Sequence, residues 1–599
     1  MTSPSPRPPV EIPRPRTRWL RAVVDGPLGL VEQALGLAKV ESLAQQVESG
    51  DPSKPVMERV LDATGIRPKC EAAEFERIPA TGAVLVCSNH PLGGADSTAL
   101  LGLVARRRRD VRILTNGVMA RFPFLADHCI FVDPFGGADA ARRNARALRE
   151  ALDWLRAGHA LVAFPAGEVS ARAWSRWTPC DPPWSTIPAR MALAAKARVV
   201  PIWCEGSNSE FFHAAGLVHP RLRTALLPSE FVSRLGAEVE FHIGRPIATE
   251  GLDLDAEGLT RLVRGRSELL RSRPPVARVA TPREPGSASE STPEQLAAEI
   301  ASLPPSARLF AEAGYEVYVA RARDFPRTMR EIGRLRELAF RAVGEGTGRT
   351  CDLDRFDETY EQIVVWNPEN REVVGGYRAG TVAEVTRDAG IAGLYTSTLF
   401  EYSPRILAEL GDAVELGRSF VRLEYQRQPL PLSFLWRGIG VFMLTRGLRR
   451  MFGPVSISND YTSMSQELIM QFLERHRLSA PFAPLVKPRN PRTRSGIASW
   501  TERESAEATK DLLHVERLVE EIERGQRAVP VLLRQYLRLN ARLLAFNVDA
   551  DFGDVVDALM IVDLAQIDER IIRHYAGDDG LAVFRQRFPT ETGPGLSGR

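Results

Sequence analysis

Between residues 271 and 305 the chain loses every sustained apolar period. Pro, Ser, Glu and Ala dominate, with one short helical pattern at 293–301. A stretch of that composition cannot bury enough apolar surface to order itself and reads as a disordered linker. The 599 residues therefore divide into separately cored units, within the roughly two to four domains that such a length allows. Each flank has to be read on its own.

The flank before the linker alternates apolar runs with helical patterns, which is how an α/β sheet covered by helices is written. Its sharpest feature is residues 82–97. Six apolar or small residues ending at Cys87 are followed by Ser-Asn-His-Pro-Leu-Gly-Gly-Ala-Asp-Ser and then by an apolar helical pattern at 98–104. This reads as strand, loop, helix. His90 then stands at the carboxyl end of a strand. Asp96 can fold back to hold one imidazole nitrogen, leaving the other to take a proton from a hydroxyl or amine. Taken alone, the pair would more readily be a turn histidine and a helix N-cap, a role open to Asp96 or Ser97.

Four further blocks follow in order: Ile130-Phe131-Val132, Phe164-Pro165-Ala166-Gly167-Glu168-Val169-Ser170, Val199-Val200-Pro201-Ile202, and the run from Val239 to Ile247. In that order they resemble the glycerolipid acyltransferase family, with its H-x4-D box and F-P-E-G-T-x-S block. The resemblance implies His90 as general base, Asp96 as its orienter and Glu168 as a substrate-binding acid, displaced from the family position that Ala166 occupies. The box here is one residue longer, which Gly93 and Gly94 can absorb. Asp133-Pro134 stands where the family has an Arg for the acceptor phosphate, so a phosphate-bearing acceptor is not implied. One of Arg142, Arg143, Arg146 and Arg149 could replace that Arg, although together they read as a solvated helix face.

Residues 1–16 read as disordered because Pro8, Pro9, Pro13 and Pro15 block helix and sheet alike. Residues 17–75 read as N-terminal helices whose apolar side either packs on the next domain, at 76–270, or lies in a membrane interface beside Arg18 and Arg21. Arg106 to Arg109 read as a solvated helix end or a contact to anionic headgroups. Only 6 of the 78 basic residues are Lys and the net charge is +3. That Arg bias reads as genome composition, and no nucleic-acid partner is expected. The six cysteines form no C-x-x-C pair, which fits a reducing compartment. No metal site is expected. No run approaches the roughly 18 apolar residues of a membrane span, and 1–17 holds no apolar signal core. The expected location is cytoplasmic, peripheral on the inner membrane.

Beyond the linker, 306–580 reads as a second α/β domain. Phe325, Met329, Ile332, Leu335, Ala339 and Val343 form a helical stripe. A polar loop at 344–357 follows, then two strands around the turn Asn367-Pro368-Glu369-Asn370. Residues 480–528 read as a polar insertion, followed by a helix at 529–539 and strands at 543–548 and 558–564. Residues 585–599 read as a frayed tail. This order resembles a GNAT N-acyltransferase with a mixed sheet. Arg336, Phe340, Asp354, Asp357, Arg378 and Glu415-Leu416-Gly417-Arg418 match the branch that holds amino-acid-lipid N-acyltransferases and acyl-homoserine lactone synthases. The phrases from Val343 to Gly348 and from Ser456 to Tyr461 resemble two-domain members often labelled haemolysin or ornithine-lipid synthase.

The resemblance implies Glu415 as a base, acting directly or through water. Arg378 and Arg418 would hold an acceptor α-carboxylate or fix Glu415. Arg336, Asp354 and Asp357 would contact substrate or lock their loop in an internal ion network. Phe340 would be core or acyl-tunnel wall, and Tyr536 a packing residue or the acid for a leaving thiolate. The stretch from Gln426 to Leu432 lacks the glycines of the usual pyrophosphate cradle, which implies an acyl carrier protein rather than a coenzyme A thioester as donor, with no bound cofactor. The chain is thus expected to make a diacylated amino-acid lipid of ornithine type. The GNAT domain would N-acylate an α-amine with a 3-hydroxyacyl group, and the N-terminal domain would O-acylate that hydroxyl on a membrane lipid acceptor. The alternatives are a lysophospholipid O-acyltransferase beside an independent GNAT domain, and a non-catalytic lipid- or carrier-binding module.

Overall fold

The computed structural model describes residues 36–132, 138–174, 176–273, 289–492 and 502–588, and divides into two compact units after Arg273. The readings made for 1–35, for Asp133-Pro134 and for the side chains of Arg142 and Arg143 lie outside the described residues.

In the first unit the strands are β1 (Arg67–Lys69), β2 (Val84–Ser88), β3 (Val111–Asn116), β4 (Cys129–Val132), β5 (Ala160–Ala163), the hairpin strands β6 (Ala171–Ala173) and β7 (Arg176–Cys180), β8 (Arg198–Cys204) and β9 (Glu238–Ile243). Seven form one sheet in the order β1-β9-β8-β2-β5-β3-β4. The central β2 runs parallel to both neighbours, β5 and β8, and is buried along its whole length. Its side chains alternate between two cores. Val84 and Val86 pack with Ala95 and Ala99, and Leu85 and Cys87 with Leu161 and Met191. Each such Val or Leu contributes about 1.5–3 kcal/mol by leaving water. Burial on both faces is why the strand reads as a continuous apolar run.

The helix Gly94–Arg107 follows β2, with Gly93 at its N-cap and Asp96 inside its first turn. Asp96 is therefore not the cap. Arg108 is not at a solvated end either. It is buried and donates to the carbonyls of Pro79, Gly82 and Gly158 and to Asp110. Three loops converge there, and their orphan carbonyls need a donor.

In the second unit the strands are β10 (Arg308–Glu312), β11 (Tyr315–Arg321), β12 (Glu361–Asn367), β13 (Glu372–Thr381), β14 (Phe400–Tyr402), β15 (Ala413–Val421), β16 (Arg450–Ile457), β17 (Val486–Pro488), β18 (Arg542–Asp549) and β19 (Val555–Asp563). Eight form a sheet in the order β10-β11-β12-β13-β15-β16-β19-β18. Every adjacent pair is antiparallel except β15 and β16, which pair in parallel only from Ala413 with Arg450 to Glu415 with Phe452. Beyond that point β15 stays with β13 as far as Val421, and β16 stays with β19 as far as Ile457. The two middle strands part and leave a notch. Gly453 lies at its apex, where a Cβ would come within 2.0 Å of the Leu416 carbonyl oxygen, so only glycine fits.

Within 271–305, the short helical pattern at 293–301 is the helix Pro293–Ser302, which starts at a capping box made by Thr292 and Gln295 and buries Leu296 and Ile300. Two boundaries differ from expectation. Within 480–528, the helix Leu512–Ile522 buries Val515, Leu518, Val519 and Ile522, a stripe at helical spacing that polar neighbours hid. The helix Glu569–Arg587 runs across the expected start of the tail, anchored by buried Leu581 and Phe584.

Candidate active sites

The first site is built where β2 ends. Asn89 is clamped to the end of β8, donating to the Cys204 carbonyl at 2.9 Å and accepting from its N–H at 2.6 Å. This fixes the backbone that carries His90. Asp96, fully buried, accepts from the Leu92 N–H at 2.7 Å, and its other oxygen lies 2.9 Å from His90 Nδ1. The chain has folded back so that the carboxylate meets the ring. Phe164 packs on the ring at 4.2 Å between centroids. The imidazole keeps 16% exposure, and Nε2 makes no hydrogen bond to a described residue, so that nitrogen is left to meet a substrate. Burial works against the imidazolium, but the charge of Asp96, with Asp181 behind it, outweighs burial and raises the His90 pKa.

Asp181 escaped the sequence reading. It accepts from the His90 N–H, from Ser170 Oγ and from Trp184 Nε1, and Ser170 N–H donates to the His90 carbonyl at 2.8 Å. Ser170 and Asp181 bracket the β6–β7 hairpin, so the box is held from two sides. No spacing rule links residue 181 to residue 90. Only Ser170 lay in a recognised block. Glu168 pairs with Arg223 at the surface, so the displaced acid of that block is engaged away from the imidazole.

The second site joins the helix Pro326–Ala342 to β12, β13 and β15. Arg336 donates to Asp357 at 2.9 Å and to Gln362 at 2.6 Å. Arg378 donates to Asp354 at 2.7 Å and lies 3.5 Å from Asp357. Arg418 lies 3.0 Å from Asp352 and 3.6 Å from Asp354, donates to Tyr395 Oη and stacks on Phe552 at 4.5 Å. Phe340 meets the same Phe552 ring edge to face. Three guanidiniums thus face three carboxylates. Asp354, at 24% side-chain exposure, and Arg418, at 12%, are its open members. Arg336 and Asp357, expected either to contact substrate or to lock their loop in an ion network, are sealed and paired with each other. Asp352 completes the charge balance and was not anticipated.

Glu415 is buried, which raises its pKa. It accepts from the N–H groups of Tyr395 and Thr396, from Thr396 Oγ1 and from Tyr360 Oη. Four donors occupy its oxygens, so it organises the 395–396 loop and is not a free base. Tyr536 is fully buried, 3.4 Å from Tyr377 Oη, and burial pushes its phenol well up; it packs. A second acidic group, unforeseen, lies on the Arg418 side. Burial raises Asp557, with Asp549 and Glu345 adding to the shift. Glu345 accepts from Ser456 Oγ at 2.9 Å, joining two phrases far apart in sequence, and burial pushes it up to about 7.

The helix Pro429–Arg446, next to the notch, begins with prolines at 429 and 431. Neither has an N–H, so its first turn has lost two of the donors that make a helix N-terminus an anion site.

Comparison with known proteins follows the same division. Residues 52–273 match an acyltransferase family model and 335–437 an acetyltransferase (GNAT) domain. The chain is 32% identical to a glycine N(alpha)-acyltransferase of Bacteroides thetaiotaomicron, over 45% of this chain and 83% of that protein. It is 27% identical to a lyso-glycine lipid O-acyltransferase of Phocaeicola vulgatus, over 31% and 66%. It is 26% identical to an L-ornithine N(alpha)-acyltransferase of Rhizobium meliloti, over 41% and 77%. Among solved structures, a 1-acyl-sn-glycerophosphate acyltransferase from Thermotoga maritima aligns at 16% identity and TM-score 0.25, over 42% of this chain and 94% of that one.

Two outcomes follow from the buried charges. Removing the Asp96 charge leaves burial in control of His90, so Asp96→Asn lowers the His90 pKa below that of the unmodified chain, read by NMR titration of the ring protons. For Glu345, the folded state holds its proton up to about 7 and the unfolded state only to its ordinary 4.5. Its contribution is complete below 4.5 and is lost as pH rises through 7. Glu345→Gln is therefore neutral at pH 4 and stabilising at pH 8 by on the order of 3 kcal/mol, measured by urea unfolding at the two pH values.

Proposed function

We propose, for a chain that belongs to the GNAT family of amino-acid N-acyltransferases, that its two acyltransferase domains act in succession to build a diacylated amino-acid lipid at a membrane surface. The observation that carries this reading is the coexistence, in one chain, of a His90–Asp96 base at a strand end and an arginine-lined notch beside a GNAT strand pair. In the second unit the acceptor α-carboxylate would meet Arg418, the open guanidinium of the network, and its amine would be held in the neutral form. The neutral amine attacks the thioester carbonyl. Its C–S bond breaks, an amide forms, and the thiol leaves with the proton. Backbone groups that lose ladder partners where β15 and β16 part are suited to the carbonyl oxygen. In the first unit His90 would take the proton of a hydroxyl on the N-acyl product as that oxygen attacks the carbonyl of a second acyl thioester; the C–S bond breaks, an ester forms, and the thiolate leaves with the proton that His90 returns.

Ornithine is the acceptor favoured by the sequence resemblance. The higher identity to glycine N-acyltransferases, 32% against 26%, supports glycine as a second reading. The amino-acid lipid carries that hydroxyl only once it has been N-acylated with a hydroxyacyl group, so on this reading N-acylation precedes O-acylation.

His90→Ala should leave a monoacylated amino-acid lipid to accumulate, since losing a general base typically costs about 10²- to 10⁴-fold. Arg418→Ala should remove both products, because the second step loses its substrate. Mass analysis of lipids from cells expressing each variant checks this and identifies the amino acid. Two unrelated enzymes would instead each lose one independent product. The donor is tested separately. The proline-started helix supports an acyl carrier protein, so the N-acyl step should run much faster with the carrier thioester than with acyl-coenzyme A, and salt should weaken it. Equal rates with both donors would exclude a carrier-specific site.

A further inference from the structure

The β6–β7 hairpin carries two tryptophans that the core does not use. Trp174, beside the turn, is 85% exposed and Trp177 72% exposed. Large apolar side chains so exposed mark a surface that meets something else. The patch extends beyond the hairpin. Arg172 stacks on Trp177 at 4.9 Å and pairs with Glu210, which ties the hairpin to the helix Glu210–Val218. That helix and the next, Pro220–Ser233, expose Phe211, Val218 and Leu222.

Two features of the patch select its occupant. Tryptophan is the residue of membrane–water interfaces, where its ring lies among headgroups and its N–H stays wet. The segments that carry the patch are basic in sequence: residues 171–180 hold two arginines and no acid, and residues 219–224 hold two arginines and no acid. Of these, Arg172 and Arg223 pair with Glu210 and Glu168. An exposed apolar and aromatic face on segments of net basic sequence suits an anionic bilayer. Its place adds a reason. The hairpin leaves the sheet between Ser170 and Asp181, both bonded to the His90 backbone. Whatever binds the tryptophans is brought beside the base.

We infer that the β6–β7 hairpin and the exposed side of Glu210–Val218 form the face by which the first unit docks on an anionic phospholipid surface, presenting His90 to its acceptor. The inference rests on the reading that this acceptor is a lipid, but binding can be measured without turnover. The full chain is mixed with vesicles of equimolar phosphatidylglycerol and phosphatidylcholine, or of phosphatidylcholine alone, and bound protein is separated by sedimentation. The unmodified chain should bind the anionic vesicles more tightly. Trp174→Ser with Trp177→Ser should weaken binding about tenfold or more, since two interfacial side chains no longer bury apolar area. Its thermal unfolding and its O-acyl transfer to acceptor dispersed in detergent should not change. Lipids brominated along the acyl chain should quench the fluorescence of the unmodified chain and not of the double variant. Equal binding by the two proteins, equal binding to both vesicle types, or quenching that survives the substitutions would overturn the assignment. A chain that binds as expected yet shows no O-acyl transfer would keep the docking face and overturn the acceptor reading instead.

Discussion

The second unit depends on a constraint of charge. Arg336 and Arg378 are almost wholly buried, and a guanidinium cannot shed its charge to escape the cost of leaving water. Every such group must meet a carboxylate. Asp352, Asp354 and Asp357 stand close together on one loop, and the arginines come from a helix and two strands, so neutralising the charges forces helix, loop and sheet into one arrangement. Buried pairs of this kind are weak evidence for stability. What they fix is geometry, because losing one partner leaves an uncompensated charge at a cost of about 3–5 kcal/mol. The network resists small rearrangements where an acceptor would have to be held.

The first unit reaches its geometry by another route. Its His90 stands at the carboxyl end of a central parallel strand, the place where open α/β sheets offer a crevice. Few charges are needed. One carboxylate on the ring and a second on the backbone suffice, with Asn89 fastening the strand end to its neighbour. The cost is a buried acid, Asp181, whose raised pKa reflects its withdrawal from water and is offset by three donors.

Much of this was legible in sequence because strand and helix periods carry it. The run into Cys87, the box and the strand–helix alternation pointed to an α/β sheet with His90 at the carboxyl end of a strand. Asp354, Asp357 and the Glu415–Arg418 strand were picked out by the resemblance to a GNAT branch, not by any period. The periods could not give pairings made through space. Asp181 reaches His90 across a hairpin, and Glu345 meets Ser456 across the sheet, with no local pattern to announce either. The surroundings of Glu415 were hidden for a related reason: its sequence gives a buried strand acid, and its four donors come from Tyr360 and from the Tyr395–Thr396 loop that folds onto it. The helix Leu512–Ile522 was missed because charged neighbours diluted a four-residue stripe.

The saturated Glu415 and the open His90 make sense together once the two nucleophiles are compared. A hydroxyl holds its proton far above neutral pH, so O-acylation needs a base aimed at the oxygen as the bond forms. An α-ammonium loses its proton within a few units of neutrality, and a low-dielectric site disfavours its charged form. Such a nucleophile can be selected neutral by its surroundings, with no base placed beside it. A GNAT site whose acids are committed to internal partners is then compatible with catalysis, because its task is to orient an amine and a thioester. On the proposed reading the strand-end histidine would answer the harder proton transfer, and the different construction of the two centres would follow from the acidity of the groups they acylate.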